Sequence, residues 1–183
     1  METKLETKRL LLRRARLADG EAYLRIRNSQ YVLRYNAMEP ITLEKALDQL
    51  AEDRESPHAF YLEDRVTKKL VGGAWLAADS LRFGVAAFGL EYFLGEEFSG
   101  RGLMTEALQA LLNFAFFVEG AQVVSARVFR ENVGSQRVLE KVGFSKEGVL
   151  RRAVKGYQGV VHDDVIFSLL REDFRRQQGG TGT

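Results

Sequence analysis

The chain contains no cysteine. That excludes disulfides, thiolate metal sites and a cysteine nucleophile, and it agrees with a cytoplasmic location. Histidine is nearly as scarce. His58 and His162 stand far apart, so a histidine-based cluster, and with it any metal, is not expected. No stretch approaches the run of about 18 apolar residues that a membrane span needs. The opening Met1-Glu2-Thr3-Lys4 is polar and leads into no apolar segment, so no signal peptide is expected. Charge of one sign is also lacking: 27 basic and 25 acidic residues leave a net +2, which argues against dedicated DNA binding. The basic residues are unevenly chosen, with nineteen arginines among them. Arginine suits forked contact with carboxylate or phosphate, but it also makes surface ion pairs. Arg13, Arg14 and Arg16 read as an exposed basic edge of this kind.

What is present describes one globular domain. At 183 residues, with 45% hydrophobic and 28% charged residues, the chain can bury a real core but has little room for two. The domain is assigned to residues 1–176, and the polar, glycine-rich residues 177–183 to a frayed tail. Thr7–Ala15 reads as a first strand and Asp19–Asn28 as a helix, followed by a short helical turn over 29–35 and a loop at Pro40. Thr42 is placed to cap a helix running to about Arg54, and Ser56-Pro57 stops it. His58–Leu62 and Leu70–Ala77 form a hairpin about a charged turn, and Val85–Leu94 adds the next strand. Leu103–Val118 is apolar on nearly every side, as a sandwiched helix would be. Val123–Phe129 is a strand, and Asn132 caps a helix to Lys141 that Gly143 ends. Strands over 147–155 and 163–170 close the chain. The predicted architecture is mixed α/β: a mostly antiparallel sheet in which one β-α-β unit sets two strands parallel.

The chemistry is expected between Tyr92 and Glu106. A strand there runs into Gly100-Arg101-Gly102, and the long apolar helix starts at once, so backbone N–H groups and the helix dipole converge on an anion site. A P-loop is excluded, because Arg101 stands where the lysine should be and Gly102 where the hydroxyl should be. A Rossmann turn needs a third glycine at Thr105 and a succession of parallel strands, which the hairpin contradicts.

Three segments, Gly-Arg-Gly-Leu-Met-Thr-Glu-Ala (100–107), Glu-Asn-Val-Gly-Ser (131–135) and Leu-Glu-Lys-Val-Gly-Phe (139–144), resemble the GNAT superfamily of acyl-CoA-dependent N-acetyltransferases. Within it they resemble the RimJ/RimL branch, which acetylates protein N-termini including those of ribosomal proteins. The opening Glu6-Thr7-Lys8-Arg9-Leu10 and the closing 164–170 extend the likeness over about residues 5–174. The resemblance implies a GNAT-like fold with splayed strands beside the central helix, and acetyl-CoA as co-substrate. The N–H groups from Gly100, Arg101 and Gly102 through Leu103, Met104 and Thr105 would cradle the pyrophosphate, with Arg101 and Arg137 as charge partners. The free backbone of Phe93 and Leu94 would pair with the pantetheine arm. Asn132 and Ser135 would sit beside the thioester. Ser135 is the implied proton donor to the thiolate, with Tyr92 and Tyr157 as alternatives.

Glu91 is the candidate base. The branch often has a glutamate two positions earlier, and two residues along a strand keep one face. The acceptor is a protein N-terminus or a small amine such as a polyamine, aminoglycoside or amino acid; a non-catalytic acyl-CoA-binding module is the other reading. Glu106 reads as a first-turn acid favoured by the dipole. His162-Asp163-Asp164 could bind a cationic amine, but reads first as turn chemistry and surface pairing, with Asp164 matching the strand-start aspartate of the family that the chain resembles. An exposed sheet edge near the C-terminus would permit a homodimer.

Overall fold

The computed structural model describes residues 3–179. In chain order the elements are β1 (Leu5–Glu6), β2 (Leu10–Arg13), α1 (Gly20–Arg27), α2 (Gln30–Leu33), α3 (Leu43–Glu55), β3 (Ala59–Asp64), β4 (Leu70–Ala78) and β5 (Ala87–Leu94). They continue as α4 (Leu103–Asn113), β6 (Val123–Phe129), α5 (Val133–Lys141), β7 (Ser145–Lys155), β8 (Val161–Leu170) and α6 (Arg171–Gly179). The strands make one eight-stranded sheet in the order β1-β2-β3-β4-β5-β6-β8-β7. Every neighbouring pair is antiparallel except β5 and β6, which α4 connects.

Side-chain alternation divides the sheet into two unlike faces. Leu76, Leu90, Val124, Ala126, Val165 and Phe167 pack into the larger core with α4. Tyr61, Phe93 and Trp75 point the other way, onto the smaller core that Tyr23 and Ile26 of α1 and Ala46 and Leu50 of α3 complete. No residue of α4 is exposed, which explains a helix apolar on nearly all sides.

The expected caps are present. Thr42 Oγ1 accepts from the Lys45 amide at 3.3 Å, and Asn132 Oδ1 from the Ser135 amide at 3.1 Å. Other expectations need correction. The α-helix of the central run ends at Asn113, and Phe114–Val118 widens into a π turn in which the Glu119 amide reaches the Phe114 carbonyl at 3.0 Å. The assigned tail begins inside α6, which runs to Gly179; residues 180–183 lie outside the described residues. Phe174 anchors α6, with its ring 5.3 Å from that of Phe116. Arg13 is no exposed edge. It is 2% exposed and bonds Asp19 at 2.8 Å and Glu63 at 2.7 Å, an ion triad that joins β2 to β3 and to the start of α1. Burial opposes its charge, but the two carboxylates outweigh that penalty and raise its pKa. Asp164, expected at the surface, is 3% exposed.

Candidate functional site

β5 and β6 pair in parallel only from Ala87↔Val123 to Leu90↔Ala126. Beyond that point β5 continues to Leu94 beside β4, and β6 continues to Phe129 beside β8. The two strands therefore part, and the β6-facing backbone of residues 91–94 has no strand partner. A cleft of about 870 Å³ runs through this gap. Phe93, Leu94, Gly100, Gly102, Leu103, Met104, Thr105, Asn132, Ser135, Arg137 and Glu91 all line it. Arg101 is exposed and does not, and neither does Tyr157.

One end of the cleft carries the glycine turn expected to hold an anion. Gly100 and Gly102 take φ values of +70° and +73°, a region that side chains disfavour, and Gly102 leads directly into α4. The first amides of a helix have no intrahelical acceptor, so those of Leu103, Met104 and Thr105 are available. The N-terminal segment fixes this turn. Glu106 accepts from Thr7 Oγ1 at 2.6 Å, from the Arg9 amide at 2.7 Å and from Arg9 Nε at 2.7 Å. Arg9 Nη1 then donates to the Arg101 carbonyl at 2.8 Å. A trans peptide sets its C=O and N–H in opposite directions. Holding the Arg101 carbonyl on Arg9 thus turns the Gly102 N–H away from Arg9. Burial opposes ionisation of Glu106, but the bonds from Thr7 and Arg9 outweigh it and hold its carboxyl below the usual range. Such a turn can hold a diphosphate, and the open edge of β5 can pair with an extended, amide-bearing arm.

The middle of the cleft carries two hydroxyls in contact. Tyr92 Oη and Ser135 Oγ are 2.6 Å apart, joining β5 to the first turn of α5. Burial pushes the Tyr92 phenol up to about 12, against a smaller opposite effect of the Ser135 bond, so it stays protonated at neutral pH. Glu91 precedes Tyr92 and so faces the opposite side of the sheet, opposite Trp75 on β4. A cleft threaded between these strands offers a carboxylate on one face and a hydroxyl pair on the other.

Several lining groups had no clear sequence signal. Trp75 donates to Asp53 Oδ2 at 2.9 Å, and its ring lies over Gly73, where a Cβ would come within 2.3 Å of it. Tyr31, Tyr35 and Met38, from α2 and the loop after it, complete that wall. Further along the same face, Ser125 Oγ donates to Asp79 Oδ2 at 2.6 Å, and Arg82 joins them. Arg127 and Asp164 form a pair there, and Asp163 is held apart by the Arg152 amide at 2.8 Å. His162 stacks on Phe129 with ring centroids 4.3 Å apart. Among the described residues no group of three or more His, Cys, Asp or Glu side chains could hold a metal, and no helix is long and apolar enough to cross a membrane.

Comparison with known proteins agrees with this geometry. The family model described as the acetyltransferase (GNAT) domain matches residues 9–145. The uncharacterised N-acetyltransferase YoaA of Bacillus subtilis is 30% identical over 174 residues, spanning 91% of this chain and 96% of the relative. The ribosomal protein uS5-alanine N-acetyltransferase of Escherichia coli is 28% identical over 130 residues, spanning 70% of this chain and 66% of that protein. Among solved structures, Mycobacterium smegmatis RimJ in complex with CoA-disulfide superposes with a TM-score of 0.77 at 20% identity, covering 98% of this chain and 93% of its own. The chain belongs to the GNAT acetyltransferase family, whose members use acetyl-CoA, and it is an N-acetyltransferase.

Proposed function

We propose that this enzyme passes the acetyl group of acetyl-CoA to the α-amino group of a protein N-terminus, a ribosomal protein being the first candidate. The observation that carries the reading is the parting of β5 and β6 after Leu90 and Ala126, with unlike groups on its two sides. The uS5-alanine relative supports the choice of acceptor.

The diphosphate binds at Gly100, Gly102 and the first amides of α4, and the arm lies along Phe93 and Leu94. Phe93 serves through its backbone, since its side chain is buried between Tyr23 and Trp75. In the transfer the amine nitrogen bonds to the acyl carbon, and the bond from that carbon to sulfur breaks. The nitrogen gives up a proton and the sulfur takes one. Glu91, on the acceptor face, receives the first, directly or through water. Ser135 supplies the second, and Tyr92 orients and reprotonates it. Backbone N–H groups of β5 beyond Leu90 stabilise the charge that develops on the acyl oxygen. Asn132 fixes the turn that presents Ser135.

The test is release of free thiol from acetyl-CoA with N-terminal peptides set against small amines. Peptide-dependent release supports the reading, whereas release with polyamines or amino acids alone would move the acceptor to a small molecule. Binding of acetyl-CoA without release by any acceptor would make the chain a binding module.

A further inference from the structure

On the acceptor face, Asp164 is 3% exposed and lines the cleft. Its two oxygens are used unequally. Arg127 Nε donates to Oδ2 at 2.9 Å and Nη2 lies 2.8 Å from the same oxygen, while Oδ1 is buried and has no hydrogen-bond partner. A buried carboxylate oxygen without a donor is costly, and a native fold normally supplies one. No other residue of the sheet does so here. Register puts Asp164 opposite Phe129 on one side and Leu150 on the other, and neither side chain can donate.

The same face is richer in unspent acid than in base. Asp164, Arg127 and Glu91 share it by strand alternation, and all three line the cleft. Glu131 lines it just past β6, 3.3 Å from His162 Nδ1. Asp79 is already committed to Arg82 and Ser125. Three carboxylates thus face one arginine and one histidine, the latter beside Glu131, and one oxygen of Asp164 is desolvated with no partner. The lining bases of α5, Arg137 and Lys141, lie on the other side, beside the cofactor turn.

We propose that Asp164 is a recognition site for a second cationic N–H donor on the acceptor, besides the amine that is acetylated. This rests on the acceptor entering from the face of Glu91, as argued above. The 40% exposed Arg127 side chain shifts as the cation arrives, and the two then share the carboxylate, one oxygen each. Glu91 and Glu131 balance the added charge. For a protein N-terminus the second cation is a lysine or arginine soon after the first residue; for a small molecule it is the far amine of a diamine.

The test compares kcat/KM at saturating acetyl-CoA for three peptides differing only in a lysine, alanine or glutamate after the first residue. Butylamine and 1,4-diaminobutane form a second arm. We expect the lysine peptide to exceed the alanine peptide about tenfold, as for one charge-assisted contact, with glutamate lowest. Added salt should narrow the spread. Asp164→Asn should bring the lysine-to-alanine ratio close to one. Arg127→Met, which frees the second oxygen, should widen it; a purely structural ion pair would instead lower all three rates together. Should Asp164→Asn fail to fold, Arg127→Met and the salt series still decide. Equal kcat/KM for the three peptides in the unaltered enzyme would overturn the inference and leave the transfer reading intact. Preference for the diamine with no peptide turnover would keep the cation site but overturn the N-terminal acceptor. No turnover of any amine would overturn both.

Discussion

Replacing Arg9 with methionine should weaken acetyl-CoA binding without slowing the chemical step. The side chain makes two contacts that bear on the glycine turn: Nε to Glu106 at 2.7 Å and Nη1 to the Arg101 carbonyl at 2.8 Å. The ion pair is partly exposed, at 43% and 20% for the two side chains, so after solvent screening it contributes at most about 1 kcal/mol. The bond to the carbonyl involves a charged donor, for which ~1.5–3 kcal/mol applies when buried, and about 1 kcal/mol is reasonable at this exposure. Together they amount to roughly 1–2 kcal/mol, or about a 5- to 30-fold rise in the acetyl-CoA KM and Kd. In the proposed binding mode the turn holds the diphosphate rather than the reacting carbon, so the loss is of uniform binding and kcat should hold. Arg9→Lys should fall between, since lysine can meet Glu106 but lacks the fork that reaches both acceptors. Calorimetric Kd and steady-state KM for acetyl-CoA measure the effect. A folded Arg9→Met variant with unchanged Kd, or one that loses kcat in proportion, would refute the role given to the Arg101–Gly102 peptide.

Ser135→Ala should lower kcat by about 10²-fold or more if its hydroxyl protonates the leaving sulfur. Tyr92→Phe should cost less, and the double variant little beyond Ser135→Ala, as for groups acting in series; additive losses in the rate assay would separate them. With Tyr92 near 12, Tyr92→Phe should leave any basic limb of the rate profile below pH 10 where it was. Arg13→Met leaves Asp19 only the Arg16 amide and Glu63 only the more exposed Arg16 side chain, so denaturant or thermal unfolding should show a loss of about 3 kcal/mol, roughly 6–12 °C in Tm. The carboxyl of Glu106 is held low, so its contribution is complete above the usual carboxylate range and is lost as pH falls through its folded-state value. Glu106→Gln should therefore cost stability at pH 7, and the difference in Tm from the unaltered enzyme should shrink towards pH 3.

The elements that shape the cofactor side were readable because their signals are local. Asn132 caps α5 three residues before its partner, Gly143 follows the helix end, and strand β6 has the boundaries its β-branched run predicts. Helix α6 was not readable. Its nine residues are nearly all polar, and a single buried Phe174 holds it to the π turn, where Phe116 and Phe117 lie close. The latch of Arg9 on Glu106 spans 97 positions, and the pairing of Arg13 with Glu63 spans 50. Each acid looks locally like an ordinary surface residue, and only the sheet order brings its arginine to it. Asp164 illustrates the same limit. Its strand position suggested turn chemistry, whereas its burial follows from β6 and β7 lying on either side of it. The acceptor wall draws on α2, the loop after it, β4 and β8, four segments with no shared motif.

In the proposed transfer, acetyl-CoA occupies the parting of β5 and β6 and its acetyl group leaves towards the face of Glu91 for an N-terminal amine. Tandem mass spectrometry of peptides incubated with enzyme and acetyl-CoA tests it most directly, using peptides that carry both a free N-terminus and an internal lysine. One acetyl group is expected, placed on the α-amine, with Glu91→Gln slowing its appearance. Acetylation on the lysine side chain, or full activity of Glu91→Gln at every pH, would contradict it.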